Sequence, residues 1–247
     1  LYVPAVTAPL PSSVIMNAVP AQVAGVDEIH VCSPPGPDGS PHPLILATCR
    51  LLGIEHVYAV GGAQAIGALA FGTESVPRVD VIVGPGNAYV ATAKKLVVGQ
   101  VGIDSVAGPS EVLVLADDSA DPTYAAADLL AQAAHAARAS AVLVTPSAPL
   151  AQAVQHEVDR LIPTLPRAEV LRQSIPAYGA AIVTDSMADA IACVDELAPE
   201  HLVILSDDAE ALWDQIRHAG AGFLGHQTPE PVGDYFAGPN HVLSTGG

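Results

Sequence analysis

A few polar residues interrupt segments of this chain that otherwise read as core. Gln132 and His135 lie in Asp-Leu-Leu-Ala-Gln-Ala-Ala-His, Glu200-His201 follow Ala-Pro, and Asp234 and His241 lie near the C-terminal end. Imidazole and carboxylate groups rarely sit in such apolar company unless they are paired, ligating or catalytic. On a helix, residues spaced as Gln132 and His135 are would share one face. Two imidazoles, a carboxylate and an amide oxygen together suit a zinc-like ion. Adjacent Glu200 and His201 suit a proton relay, the carboxylate activating water and the imidazole accepting a substrate proton. The set reads as most of an enzyme active site.

Each member also has a plainer reading. Gln132 and His135 could be two satisfied polar groups on a helix face, and Glu200-His201 a solvated loop pair. Asp234, in Val-Gly-Asp-Tyr, suits a turn cap equally well. Ser110, after Gly-Pro, is either a hydroxyl donor to substrate or a turn residue. The absence of a Gly-x-Ser-x-Gly elbow argues against a serine hydrolase. His30, His56 and His156 fall inside expected elements with no acidic partner at a telling spacing, and His42 and His226 lie in Pro-rich loops. None of these five is given a role.

The elements that must position these groups follow an alternating pattern. Strands are expected at 28–32, 56–60 and 79–83, with helices at 43–52, 63–71 and 88–97 between and after them. After the Gly/Pro break at Ala107-Gly108-Pro109, strands are expected at 111–115, 141–144, 180–183, 202–205 and 222–224. Helices are expected at 124–137, 148–161 and 209–219, the last carrying the only tryptophan, Trp213. This order predicts an α/β fold with mostly parallel sheets flanked by helices. Two units are expected, 1–106 and 107–247; the Pro/Ser-rich stretch 1–25 would suit the start of either. Two glycine-rich turns, Gly61-Gly62-Ala63-Gln64 and Gly84-Pro85-Gly86-Asn87, each follow a strand and open a helix. Such turns offer backbone N–H groups and a helix N-terminus to an anion. Neither is the G-x-G-x-x-G fingerprint, and each alone is more simply a tight turn. Their repetition favours a ligand cleft at the carboxyl edge of the strands.

Composition narrows the function classes. In 247 residues, half are apolar and 14% are charged, which describes a globular chain with a large core. With 26 acidic against 9 basic residues, the formal charge is −17, so a nucleic-acid partner is not expected. Cys32, Cys49 and Cys193 are widely spaced in apolar runs and read as reduced core residues. No apolar run reaches membrane-spanning length and no signal-like segment opens the chain, so no membrane partner and a cytoplasmic location are expected. Leu1 stands where an initiator methionine would, which suggests a fragment.

Taken together, these stretches resemble the histidinol dehydrogenase family. The resemblance is carried by Leu-Tyr2-Val-Pro, Val-Gly-Gly-Ala-Gln64-Ala-Ile, Val-Gly-Pro-Gly-Asn87, Ala-Gly-Pro-Ser110-Glu, Asp-Leu-Leu-Ala-Gln132, Ala-Pro-Glu200-His201-Leu, Gly-Asp234-Tyr and Asn240-His241-Val-Leu, in order along the chain. It implies two incomplete Rossmann-like domains and NAD-dependent oxidation of L-histidinol to L-histidine through L-histidinal. It further implies zinc held by Gln132, His135 and Asp234, and an acid/base pair in Glu200 and His201. Ser110, Gln132, His135, His201, Asp234 and His241 would contact substrate; Tyr2, Gln64 and Asn87 would contact the dinucleotide. In this family zinc serves mainly as a template for substrate nitrogens.

The same resemblance implies a region before Leu1 and a helical tail after Gly247. The tail would supply a fourth zinc ligand and a substrate-binding Glu across a homodimer, so this stretch by itself is expected to turn over poorly. Ala5-Val6 stands where a Gly pair is usual, Ala134 where an acidic residue is usual, and Ser244 where a Pro is usual. Two other readings compete. One is a related dehydrogenase of another polar alcohol, such as a sulfonated propanediol; the other is a non-catalytic nucleotide-binding fragment.

Overall fold

In the computed structural model, which describes residues 1–5, 9–106, 108–238 and 243, several helices begin where the sequence supplies a cap. Asp121 accepts the Thr123 N–H, Ser147 the Leu150 N–H and Ser186 the Asp189 N–H, while proline fills the first turn of several helices. The elements are α1 (Pro11–Val23), β1 (His30–Ser33), α2 (Pro43–Leu51), β2 (His56–Ala59), α3 (Gly62–Phe71), β3 (Val81–Ile82), α4 (Ala88–Leu96) and β4 (Gly102–Ile103). Then come β5 (Glu111–Ala116), α5 (Pro122–Ala133), β6 (Ser140–Thr145), α6 (Ala148–Leu161), α7 (Ala168–Tyr178), β7 (Gly179–Val183), α8 (Met187–Leu197), β8 (His201–Leu205), α9 (Ala209–Trp213) and β9 (Ala221–Leu224). All strand pairing is parallel among the described residues.

Two compact units result, Leu1–Gly108 and Pro109–Phe236. In the first, β1 pairs with β2 and β3 with β4. The Leu1–Val3 stretch joins the two ladders: the Tyr2 N–H donates to Val83 O at 2.8 Å, and the Val3 N–H to Cys32 O at 2.9 Å. Alternation then divides the core. Tyr2 and Cys32 pack with Ile66, Leu69 and Val90 of α3 and α4, whereas Val3 and Val31 pack with Val14, Ile45 and Cys49 of α1 and α2. The 1–25 stretch therefore belongs to the first unit.

The second unit is built on one sheet of order β7-β6-β5-β8-β9. Its central strands are apolar on both faces, as a helix-covered parallel sheet requires. Val112, Val114, Val203 and Leu205 face Leu129, Leu130 and Val154 of α5 and α6. Leu113, Leu115, Leu202 and Ile204 face Ile191, Val194 and Leu212 of α8 and α9. At the carboxyl edge, the Ser206 hydroxyl donates to the Asp117 carboxylate at 2.5 Å and ties β8 to β5.

Several expected boundaries move, each for a visible reason. The helix expected over 124–137 ends at Ala133, because the buried Ser174 hydroxyl takes the Ala133 carbonyl at 2.9 Å, the acceptor a continuing turn would need. The helix expected over 209–219 stops at Trp213, since the Asp195 carboxylate captures the N–H groups of Arg217 and His218 at 2.7 and 3.1 Å. The strand expected over 79–83 shortens to Val81–Ile82, and α1, α7, α8 and β4 come in addition to the expected elements. The cysteines are free, with Cys32 and Cys49 buried. No helix among the described residues is long and apolar enough to cross a membrane.

Leu115 is fully buried in the central strand. Leu115→Ala should cost about 3 kcal/mol, read as a lowered urea midpoint at unchanged slope.

Candidate functional site

In the second unit the expected acid/base pair sits where β8 begins, beside the start of β5. The helix before it, α8, ends on Ala198 with φ 45°, the sole non-glycine residue of positive φ among those described. Pro199 follows and disfavours further helix. This left-handed step turns the chain so that Glu200 and His201 enter the sheet edge buried, at 7% and 6% exposure. The backbone of one residue then holds both side chains. The Glu111 N–H donates to Glu200 Oε2 at 2.9 Å, and the Glu111 carbonyl lies 3.1 Å from His201 Nδ1. A carbonyl only accepts, so Nδ1 carries the proton and the neutral imidazole keeps its lone pair on Nε2.

A second carboxylate lies on the Nε2 side. Glu230 Oε1 is 3.7 Å from His201 Nε2, and Glu200 Oε2 is 3.7 Å from Nδ1. Glu230 is itself buried, and its backbone N–H donates to the carboxylate of Asp128 on α5. Burial pushes the Asp128 carboxyl up to about 6 against the pull of that hydrogen bond. Neither Glu230 nor Asp128 was singled out from the sequence. The available signal was Asp128 one helical turn ahead of Gln132 in an otherwise apolar helix.

The expected metal ligands are only partly described. Gln132 lies on the buried side of α5 at 5% exposure, and its amide makes no hydrogen bond to another described residue. His135 is exposed and stands beyond the helix end, where its N–H donates to Gln132 O at 2.9 Å. The expectation that both share one helix face is therefore corrected: a turn after Ala133, not helical spacing, sets their relation. The Asp234 backbone lies in a π-helical turn, Gly233–Ala237, but its side chain falls outside the described residues. His241, Val6 and Ser244 also lie outside them. Among the described residues no three His, Cys, Asp or Glu groups converge as a metal site. A buried amide oxygen with an imidazole on the following turn still fits the borderline character of zinc. Ser110 is half-buried, and its carbonyl accepts the Ser140 N–H at 3.0 Å.

In the first unit the two glycine-rich turns meet at Tyr2. Its hydroxyl accepts the Gly62 N–H at 3.1 Å, leaving its own proton to donate. Its backbone carbonyl packs on Gly84, where an added Cβ would stand 2.1 Å from Tyr2 O and where φ is +118°. Asn87 caps α4 through Oδ1, which accepts the Tyr89 and Val90 N–H groups at 3.1 Å, so its amide nitrogen is turned to donate. Gln64 is exposed on the first turn of α3. These are donors beside helix N-termini at strand ends, a fit for the acceptor-rich pyrophosphate and ribose of a dinucleotide. His30 differs from expectation: its Nε2 lies 3.2 Å from Glu28 Oε2 and its Nδ1 3.1 Å from the Tyr58 hydroxyl.

Comparison with known proteins adds the lineage. A family model described as Histidinol dehydrogenase matches residues 1–247. The histidinol dehydrogenase of Halalkalibacterium halodurans is 58% identical over 247 residues, which cover all of this chain and 58% of that protein. That of Bacillus subtilis is 55% identical, again over 58% of its length. A crystal structure of histidinol dehydrogenase from Elizabethkingia anophelis matches with a TM-score of 0.95 at 44% identity, covering 57% of that chain. The chain thus spans between 57% and 58% of the length of these relatives. An acetylating aldehyde dehydrogenase from Geobacillus thermoglucosidasius, at 13% identity and a TM-score of 0.64, shares the fold alone.

Asp128 supplies a test of the buried carboxylates. Its carboxyl titrates near 6 in the fold and lower when unfolded, so the native state binds the extra proton between those values. Stability contributed by this group is therefore lost as pH rises through that window. Asp128→Asn should be more stable than the parent at pH about 7, with the gap closing near pH about 4. Urea midpoints of both proteins across that range check it.

Proposed function

This chain belongs to the histidinol dehydrogenase family, and on that premise we propose that it carries the catalytic core for NAD-dependent oxidation of L-histidinol to L-histidine. The observation that carries the reading is the buried Glu200–His201 pair anchored on the Glu111 backbone. Zinc would be held by Gln132, His135 and Asp234, with Tyr2, Gln64 and Asn87 contacting NAD and Ser110 and His241 contacting substrate. When bound, zinc supplies a Lewis-acid template for the substrate's amine and imidazole nitrogens, and NAD supplies the hydride acceptor.

The chain's own residues do the proton work. His201, with Nδ1–H fixed on the Glu111 carbonyl, takes the alcohol proton at Nε2 as hydride leaves the carbinol carbon. That yields the aldehyde. Glu200 then draws a proton from water as its oxygen adds to the aldehyde carbon, and the His201 imidazolium returns its proton to the new oxyanion, giving the hydrate and freeing Nε2. His201 takes the hydroxyl proton of the resulting hydrate as a second hydride leaves, giving the carboxylic acid. One alcohol, one water and two NAD become one carboxylate, two NADH and three protons. The environment suits this division of labour: Glu200 accepts a backbone donor, whereas Nε2 faces a carboxylate that stabilises the imidazolium once formed. In the longer polypeptides of the family the unit would be a cytoplasmic homodimer.

The test supplies L-histidinol, NAD and zinc to this chain and to a chimera. The chimera adds the stretches of the Bacillus subtilis enzyme that extend beyond the match. NADH should form in the chimera and slowly, if at all, in the chain by itself. His201→Asn in the chimera should lower kcat by about 10²–10⁴ with little change in KM for histidinol. No NADH from either protein overturns the reading.

A further inference from the structure

The first unit holds a charged pair that the proposed chemistry does not use. Lys94, on α4, is 3% exposed, and its ammonium forms an ion pair with the carboxylate of Asp104, just after β4. Both groups reach the backbone of the same residue. Lys94 Nζ donates to Gly84 O at 3.1 Å, and Asp104 Oδ2 accepts the Gly84 N–H at 2.7 Å. Asp104 Oδ1 also accepts the Ser105 N–H at 2.7 Å. The polar groups of one glycine are thus held, one by each member of the pair.

Burying a lysine is costly, and well-packed apolar residues often stabilise a fold as well or better. Fold stability is therefore a poor account of the pair. What the pair does supply is geometry. Gly84 stands at φ +118° with its backbone against Tyr2 O, and three residues later Asn87 opens α4. Lys94 lies further along the same helix. The pair joins the turn, the helix and the end of β4 into one closed loop of hydrogen bonds.

We propose that Lys94 and Asp104 are positioning residues for the dinucleotide, holding the Gly84–Asn87 turn in its binding geometry without themselves contacting the ligand. This rests on the reading that Tyr2, Gln64 and Asn87 contact NAD. The pair's donors and acceptors are directed at the turn's own backbone, at the two amides that flank Gly84, so its effect is preorganisation.

The experiment measures NAD affinity by titration calorimetry on this chain, alongside thermal unfolding. A double variant, Lys94→Met with Asp104→Leu, replaces the pair by apolar residues of similar volume and should keep its unfolding temperature. Its Kd for NAD should rise about tenfold or more. Lys94→Arg, which keeps the charge and the donors, should stay near the parent value. In the active chimera, Asp104→Asn should raise KM for NAD while KM for histidinol and kcat change little. Parental NAD affinity in the folded double variant overturns this inference, as does an unfolded double variant with parental NAD affinity in Asp104→Asn. An unsubstituted chain that binds no NAD overturns the cofactor reading itself, and this inference with it.

Discussion

The backbone of Glu111 is the constraint on which the proposed chemistry depends. Its N–H fixes a carboxylate and its C=O fixes an imidazole, so two successive amides of one strand residue set the distance and orientation of a neighbouring pair and the tautomer of the imidazole. That backbone is held because β5 is the middle strand of the sheet, bonded to β6 on one side and β8 on the other. β8 in turn begins with His201, and Glu200 immediately precedes it. The acid/base groups are thereby built into the same ladder that forms the core, and their precision is that of the sheet. Two side chains on a loop would have to be ordered at the moment of reaction, at an entropic cost that this arrangement has already met in folding.

The first unit solves a parallel problem with different materials. Two glycine-rich turns come close to one another, and Tyr2 supplies the common surface. Its carbonyl excludes any side chain at Gly84, and its hydroxyl holds Gly62. A tyrosine is well suited here because an aromatic body can be buried at 3% exposure while its polar tip remains available. Glycine at the turn and tyrosine beside it form a matched set.

The alternation of short apolar runs with Ala-rich stretches made the parallel α/β order legible, because strands buried on both faces read as short apolar runs and several helices open on a visible Asp, Ser or Pro. What escaped were features set by tertiary contacts. Ser174 ends α5 from a helix that follows later in the chain, and Asp195 unwinds the segment after Trp213. The helices α1 and α7 each contain a proline in the interior, Pro20 and Pro176, which hid them. The polar residues of the site stood out because they broke apolar segments, and Glu200 and His201 are indeed buried. Glu230 did not, since nothing local announces that a loop carboxylate will reach an imidazole at the start of a strand.

One consequence of the Glu111 arrangement concerns solvent exchange. The Glu111 amide is the first of a central strand, yet its partner is a side-chain carboxylate, not a neighbouring backbone carbonyl. Its hydrogen can be replaced by deuterium only when the Glu200 carboxylate swings away or the sheet edge opens. The amides of Val112 to Ala116, deeper in the same strand, share only the second route. The difference in protection between the first amide of β5 and those behind it thus measures how often the carboxylate leaves its post, in a protein at rest and without a turnover assay.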